Sequence, residues 1–200
     1  MKQDIILAGV GGQGILSIAY VLDQAALLKD LFFKQAEVHG MAQRGGAVQS
    51  HLRLSDKQIY SDLIPKGKAD MLLCVELLES LRYLDYLTPE GKIITSRAPY
   101  KNIPDYPDEG MLVEKLNKTG KAFIIDSEKL ARKAGHSKSQ NMVMLGAASF
   151  LLIPDEETLQ ESIRIFFKGK GEKIVNINLE AFRLGREHTA GENNSRNGYE

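Results

Sequence analysis

The stretch at residues 4–15, Asp-Ile-Ile-Leu-Ala-Gly-Val-Gly-Gly-Gln-Gly-Ile, constrains the fold of this chain most. A short apolar run gives way to four glycines within six residues, and the sequence then becomes amphipathic. That order predicts a strand, a tight loop and a helix, because glycine permits positive φ and close backbone approach. The start of such a helix has unsatisfied N–H groups and a partial positive charge, so the loop suits an anion or a partner's loop.

The first glycine loop also matches a cofactor motif. Its Gly-x-Gly-x-x-Gly spacing, beginning at Gly9, is that of the dinucleotide fingerprint, and Glu37 follows where a ribose-binding acid is expected. The extra Gly12 and the polar Gln13 argue against a nicotinamide site, as does the glycine-punctuated loop directly after Glu37. NAD or FAD binding, an anion or partner site, and a purely structural turn all stay open from this motif.

Composition excludes several classes of function. The chain has 200 residues, which suits one domain, and its 26 basic and 26 acidic side chains give no net charge, which disfavours nucleic-acid binding. Its single cysteine, Cys74, excludes an internal disulfide and cannot hold an iron–sulfur cluster, which takes about four thiolates. The acidic N-terminus and short apolar runs predict a soluble, cytoplasmic protein with no membrane segment.

Apolar periodicity predicts the elements along the rest of the chain. Helices are expected at 13–29, 76–87, 111–119, 127–134, 141–152, 154–167 and 176–185, with Ser127 and Asn141 as caps. Strands are expected at 31–38, 47–54, 69–75, 92–96 and 121–126, with a hairpin-like turn leading from the second of these into 59–60 and a turn at 88–91. Small residues around Gly146 allow close approach to another element.

This alternation of strands and helices defines the fold class. We expect an α/β fold with three layers, in which a mainly parallel sheet carries helices on both faces and includes a short antiparallel excursion. Residues 1–186 are expected to form one domain. Residues 187–200, rich in Asn, Gly and Glu, cannot bury apolar area and are expected to be a disordered tail.

A second glycine loop, His-Gly-Met-Ala-Gln-Arg-Gly-Gly at residues 39–46, is too polar for a core element although strand-like sequence flanks it. Both glycine loops follow strands at the carboxyl edge of the sheet, where ligands bind in such folds, so we expect them to be neighbours. Gln43 and Arg44 can present an amide and a planar guanidinium to a phosphate or carboxylate. The alternative is a solvated arginine in a mobile turn.

The histidines give no catalytic or metal motif. His39 suits either a general acid or base or a hydrogen-bonding role, the latter being the more common. No serine or cysteine with an acid partner completes a nucleophilic motif, and the four histidines lack metal-ligand spacing, so we predict no catalytic residue and no metal site. His51 and Arg53 share one strand face and are expected to be an interface or sheet-face pair.

Three motifs in one order make the chain resemble a known family. They are the first glycine loop, the segment 37–46 running into Ser-His-Leu-Arg at 50–53, and Asn-Met-Val-Met-Leu-Gly-Ala at 141–147. Over residues 4–186 the chain resembles the gamma component of the 2-oxoacid:ferredoxin oxidoreductases. Within that family it is most similar to the beta subunit of the indolepyruvate enzymes.

This resemblance implies one subunit of an enzyme that decarboxylates a 2-oxoacid, here indolepyruvate or another arylpyruvate, on thiamine diphosphate. Electrons then pass through iron–sulfur clusters to ferredoxin, and the acyl group passes to coenzyme A. The thiamine diphosphate, the clusters and the contact with ferredoxin are expected in a larger partner subunit. The present chain would line the coenzyme A side, hold no redox centre and be inactive alone.

The resemblance also implies site residues. The second glycine loop becomes the candidate for coenzyme A, with Gln43 and Arg44 for its phosphates or pantetheine, and the first loop becomes structural or interfacial. The candidate cofactor-binding residues of the two loops are Gly11, Gly12, Gln13, Gly14, His39, Gln43, Arg44, Gly45 and Gly46. The alternative function is a free-standing Rossmann-type reductase that binds NAD(P).

Overall fold

A computed structural model describes residues 1–39, 45–101 and 103–197. Its strands are β1 (Lys2–Val10), β2 (Phe32–His39), β3 (Ala47–Ser55), β4 (Ala69–Cys74), β5 (Leu87–Ser96) and β6 (Ala122–Ile125). Its helices are α1 (Ile15–Leu28), α2 (Leu77–Arg82), α3 (Glu109–Lys118), α4 (Ser127–Lys133), α5 (Gln140–Ala148), α6 (Glu156–Phe167) and α7 (Glu172–Asn197). Short 3-10 turns lie at Leu84–Tyr86, Ser137–Ser139, Ser149–Leu151 and Lys168–Lys170.

The six described strands form one mixed sheet in the order β2-β3-β1-β4-β5-β6. Strands β1, β4, β5 and β6 pair in parallel, whereas β3 is antiparallel to both of its neighbours, β1 and β2. Among these strands, therefore, only β3 runs against the others. The predicted mainly parallel sheet with one antiparallel excursion is confirmed.

Helices cover both faces of the sheet and give it three layers. Ile5 and Leu7 of β1 point to one face, where buried side chains of α1, α5, α6 and α7 complete the larger core. Ile6 and Ala8 point to the other face and pack with α2 and α3. This alternation is the period of two expected of a strand that is buried on both sides.

Helices α5 and α7 cross with their backbones in contact. A Cβ atom added to Gly146 would lie 1.9 Å from the carbonyl oxygen of Phe182, and one added to Gly185 would lie 2.0 Å from that of Val143. Only glycine fits at either position, so the close approach predicted around Gly146 is confirmed. The crossing fixes the start of α5 relative to α7.

The hairpin-like turn predicted to lead from β3 into 59–60 is not followed by a strand there. Side chains of β3 instead hold the next segment, residues 61–64. Arg53 donates from one guanidinium nitrogen to the carbonyl oxygens of Ser61 at 3.0 Å and Leu63 at 3.2 Å. The Nδ1 atom of the buried His51 accepts from the N–H of Ile64 at 2.9 Å. The two side chains thus form the predicted sheet-face pair.

Several predicted boundaries also move. The expected turn at 88–91 lies inside β5, and the helix expected at 76–87 ends at Arg82, with a 3-10 turn after it. Asp126, rather than Ser127, caps α4 by accepting from the N–H of Lys129. The hydroxyl of Ser127 instead pairs with that of Ser96 at 2.7 Å, so it is not available as a cap.

The C-terminal helix extends past the predicted domain boundary at residue 186. Helix α7 continues through Asn197, with Thr189 fully buried, where the sequence predicts a disordered tail from Glu187. The division into a domain of residues 1–186 and a tail therefore stays a prediction. Within the described residues, none of the helices combines the length and the apolar character that crossing a bilayer requires.

Candidate functional site

The first glycine loop is fastened by the side chain of Gln13. Its Oε1 atom accepts from the N–H of Val10 at 2.8 Å, and its Nε2 atom donates to the carbonyl oxygen of Val75 at 3.3 Å. The backbone N–H of Gln13 in turn donates to the carbonyl oxygen of Val10 at 3.1 Å. Gln13 therefore ties the loop between β1 and α1 to the end of β4, which is a structural role that its polarity alone does not reveal.

Two glycines of this loop have backbone angles that other residues rarely adopt. Gly14 has φ +80°, and a Cβ atom there would lie 2.6 Å from the Nδ2 atom of Asn141. Gly12 has φ +99°, with no atom within 4 Å of the position that a Cβ would take. Gly14 thus allows close packing against α5, whereas Gly12 leaves open space beside the loop.

Asn141 links the loop to α5 and does not cap the helix as predicted. The side chain is 6% exposed, and its Nδ2 atom donates to the carbonyl oxygen of Gly14 at 3.3 Å. Its Oδ1 atom accepts from the N–H of Met142 at 3.0 Å. The N-cap position belongs to Ser139, whose side chain makes no capping hydrogen bond.

The two glycine loops are neighbours, as predicted. The N–H of Gly11 donates to the carbonyl oxygen of Gly46 at 2.9 Å. Gly45 has φ +77° with open space around it, and the backbone of His39 ends β2 opposite Val48. Gln43 and Arg44 lie outside the described residues.

A cavity of about 830 Å³ opens beside the first glycine loop at the carboxyl edge of the sheet. Three of the predicted site residues, Gly12, Gln13 and Gly14, line it. Most of the rest of its wall comes from α4, from the 3-10 turn Ser137–Ser139 with the start of α5, and from the region where α6 gives way to α7. Its size lies within the range of small-molecule and cofactor sites.

The cavity is lined by several basic side chains. Arg132, His136, Lys138 and Lys170 contribute to its wall, against one carboxylate, that of Glu128. Glu128 and Arg132 form an ion pair with each other on α4. The remaining lysines leave the cavity with a positive balance that suits an anionic ligand.

Tyr100 closes one side of the cavity and is positioned by the buried carboxylate of Glu76. One oxygen of Glu76 accepts from the N–H of Tyr100 at 3.1 Å and from the hydroxyl of Tyr106. The other oxygen accepts from the N–H of Glu79 and caps α2. Burial and the hydrogen bond to Glu76 raise the pKa of Tyr106, so its hydroxyl stays protonated as the donor.

The residues present do not fit an iron–sulfur cluster. Cys74 is fully buried in β4, and burial raises the pKa of its thiol well above the usual value, which disfavours the thiolate that metals require. Among residues 1–39, 45–101 and 103–197, no group of three or more His, Cys, Asp or Glu side chains is placed to hold a metal ion.

Sequence reasoning missed most of the cavity wall. The polar run Ser-Lys-Ser-Gln-Asn at 137–141 is the signal that the sequence offers, but the only role predicted within it is that of Asn141 as a helix cap. Lys170 and the start of α7 are far from it in sequence. Only the packing of α5 against α7 brings these segments to the first glycine loop.

Comparisons with known proteins agree in pointing to one family. A family model for pyruvate ferredoxin/flavodoxin oxidoreductase matches residues 4–188. The indolepyruvate oxidoreductase subunit IorB of Thermococcus kodakarensis is 38% identical over 198 residues, covering 92% of this chain and 95% of that protein. The subunit of the same name from Methanothermobacter thermautotrophicus is 37% identical over 196 residues, covering 92% and 96%.

A solved structure shows the same fold within a larger chain. The 2-oxoglutarate:ferredoxin oxidoreductase from Magnetococcus marinus, with 2-oxoglutarate, coenzyme A and succinyl-CoA bound, matches with a TM-score of 0.77 at 25% identity. The match covers 95% of this chain and 31% of that chain. None of these proteins supports the alternative of a free-standing NAD(P)-binding reductase. Because the family model matches residues 4–188, this chain belongs to the pyruvate ferredoxin/flavodoxin oxidoreductase family.

Proposed function

We propose that this chain is the smaller subunit of a thiamine-diphosphate-dependent oxidoreductase that converts an arylpyruvate, such as indolepyruvate, to acyl-CoA and CO2 and reduces ferredoxin. The observation that carries the substrate class is the similarity to two indolepyruvate oxidoreductase subunits over nearly their whole length. We expect the assembled enzyme to be cytoplasmic. It binds neither nucleic acid nor membranes in this proposal.

The redox groups belong to a partner subunit in this proposal. One buried thiol with a raised pKa cannot supply the several thiolates of a cluster. The clusters are therefore assigned to the larger subunit. Thiamine diphosphate and the contact with ferredoxin are assigned to the same subunit, as the resemblance to the family implies. The present chain supplies binding contacts and is inactive alone.

The chain's own contribution is to bind coenzyme A at the carboxyl edge of its sheet. The hydrogen bond from Gly11 to Gly46 brings the two glycine loops together at this edge. We assign Gln43 and Arg44 to the phosphates or the pantetheine arm, with Gly45 and Gly46 allowing close approach. A relative of similar fold binds coenzyme A, which supports this assignment.

The experiment is reconstitution. The chain and the proposed cluster-containing partner subunit are purified separately and together, and ferredoxin reduction is followed with indolepyruvate and coenzyme A. We expect turnover only from the assembled enzyme, and only with both substrates present. Turnover by this chain alone, or by the complex without coenzyme A, would contradict the proposal.

The substrate class needs its own comparison. The same complex is assayed with indolepyruvate, pyruvate and 2-oxoglutarate at equal concentrations. We expect kcat/KM to be highest for the arylpyruvate. A higher kcat/KM for either of the other two acids would contradict the arylpyruvate assignment. The assignment of the chain to its family would still hold.

A further inference from the structure

The segment that connects β3 to β4 lies on the sheet without secondary structure of its own. Residues 56–68, all within the described part of the chain, form neither a helix nor a strand. Near its two ends, the backbone N–H groups of Asp56 and Gly67 donate to carbonyl oxygens elsewhere in the chain. Between the ends, Ile64 is 2% exposed and packs in the smaller core, whereas residues 60–63 are exposed. The middle of this connecting segment therefore depends on the side chains of β3 beneath it.

Two side chains of β3, His51 and Arg53, hold the middle of the connecting segment, and only His51 is an imidazole, the side chain that titrates near neutral pH. Its Nδ1 atom accepts from the N–H of Ile64 at 2.9 Å, and its Nε2 atom lies 2.7 Å from the side-chain amide of Gln49. A neutral imidazole that accepts at Nδ1 carries its proton on Nε2. A second proton must therefore go to Nδ1, where it would face the N–H of Ile64 and remove that hydrogen bond.

The surroundings of His51 favour the neutral ring. Its side chain is buried, and burial is the main cause that lowers its pKa. The charge of Asp62 opposes this effect, and the charge of Arg53 adds to it. The charged and titratable groups on this face of the sheet are Arg53 of β3, Asp4 of β1, Lys34 of β2, Asp62 of the connecting segment, and Tyr86, which packs edge-on to the ring. The closed segment therefore binds a proton on His51 more weakly than an open one does.

We propose that His51 is a pH-sensitive switch, which holds the connecting segment on the sheet while its ring is neutral and releases the middle of the segment when Nδ1 takes up a proton. Release exposes Ile64 and the polar face of β3, while the two ends of the segment stay attached. The closed and open states thus differ in this segment and share the same sheet. The inference concerns the fold of this chain and does not rest on the proposed function.

The pH range of the switch follows from the direction of the pKa shift. Because the pKa of the ring in the closed state lies below its ordinary value of 6.5, the closed state has its full stability above about pH 6.5 and loses it as pH falls below that value. The test is amide hydrogen exchange of the full chain, followed by NMR from pH 7.5 to 5.5 and expressed as protection factors. We expect the protection factor of the Ile64 amide to fall about fivefold or more over this range. The amides of β1 should keep their protection, because the sheet does not open.

His51→Asn separates the proton from the hydrogen bond. Its amide oxygen can accept from the N–H of Ile64 but does not titrate, so the protection factor of Ile64 should be the same at pH 7.5 and pH 5.5. His136→Asn is the matched control, because the Nδ1 atom of the exposed His136 also accepts from a backbone N–H, that of Lys138 at 3.0 Å. This control should show the same fall at Ile64 as the wild type.

A measurement on the unmodified chain applies even if His51→Asn does not fold. The ring ¹⁵N chemical shifts of His51 at pH 7.5 should place the proton on Nε2. The proposal is overturned if the proton lies on Nδ1, if the protection of Ile64 is constant across the range, if the amides of β1 lose protection by the same factor, or if His51→Asn behaves as the wild type. Because the proposed function is tested by turnover of the assembled enzyme, either idea can fail without the other.

Discussion

Arg44 is the residue on which the proposed coenzyme A contact depends. Its guanidinium suits bidentate contact with phosphate, so Arg44→Ala in the assembled enzyme should raise KM for coenzyme A by about tenfold or more. KM for the 2-oxoacid should change much less. Arg164→Ala, an exposed arginine of α6 paired with Glu161, is the matched control. An equal rise in both Michaelis constants would count against the assigned role.

A separate prediction concerns the contribution of Asn141 to stability, because its side chain joins the first glycine loop to α5. Asn141→Ala removes its hydrogen bonds to Gly14 and Met142 in a buried position, which should lower the free energy of unfolding by about 1–3 kcal/mol. Urea denaturation measures the change. Asn117→Ala, at an exposed position of α3, should be near neutral, and equal stability of the two variants would show that the link contributes nothing.

Asp23 on α1 gives the chain a pH-dependent stability. Burial first, and the charge of Glu37 second, raise the pKa of its carboxyl from 3.8 to about 7, and its Oδ1 atom is buried without a hydrogen-bond partner among the described residues. The folded state therefore holds the proton more tightly than the unfolded state. The stabilisation from this proton is complete below about pH 4 and is lost as pH rises through about 7.

Asp23→Asn should therefore be more stable than the wild type at pH 8, and this difference should shrink toward pH 4. Thermal or urea unfolding across that range measures it, with the exposed Asp105→Asn as control. A constant difference at every pH would show that the carboxyl of Asp23 does not titrate in this window.

At the scale of elements, the crossing of α5 and α7 should tolerate no added methyl group. Gly146→Ala and Gly185→Ala each place a Cβ atom about 2 Å from a backbone carbonyl oxygen, which cannot move as a side-chain end can. We expect a loss of about 3 kcal/mol or more, or failure to fold. Gly191→Ala, on α7 with open space around it, should be neutral or stabilise by about 0.5–1 kcal/mol.

The melting temperatures of these three variants, measured by circular dichroism, test whether α5 and α7 cross as closely as the structure shows. If Gly146→Ala melts together with Gly191→Ala, the close crossing is wrong. Because the crossing positions the start of α5 beside the first glycine loop, a destabilised Gly146→Ala should also disturb the packing of Asn141 against that loop.

The strands and helices differ in how far the sequence predicts them. The parallel strands follow from continuous apolar runs, and the loop between β1 and α1 follows from its glycines. Thr-Pro-Glu-Gly at 88–91 has the composition of a turn, yet it lies in β5. There the pairing with β4 shifts register between Ala69 and Met71, and pairing with β6 begins only at Ile93, so Pro89 is tolerated.

The candidate site was harder to predict than the fold, because its residues are far apart in the sequence. Gly12 to Gly14 are visible as a motif because one short loop contains them. The side chains opposite, such as Lys138 and Lys170, belong to separate elements, and no local pattern says that they meet. Gln13 shows the opposite problem. Its polar side chain in a glycine loop suggests a ligand contact, but the side chain forms hydrogen bonds with the backbone of Val10 and Val75 instead.

For the molecule as a whole, the surface proposed to bind a ligand lies at one edge of the sheet, and the buried thiol lies within the sheet. Both glycine loops, the cavity and Tyr100 lie at the carboxyl edge. Cys74 lies in the strand next to β1 and is fully buried. This arrangement suits a chain that holds a ligand while another subunit carries out electron transfer.

The extent of the folded unit gives a prediction for the entire chain. The sequence places the end of the domain at residue 186, but α7 continues, with Thr189 fully buried and Glu187 paired with Arg183. Removing residues 187–200 should therefore lower the free energy of unfolding by about 1–2 kcal/mol, since it exposes the surface that Thr189 covers. Removing only residues 192–200 should leave stability within about 0.5 kcal/mol of the full chain. Urea denaturation of the two truncated chains beside the full chain measures both values, and equal stability of the chains ending at 186 and 191 would restore the predicted boundary.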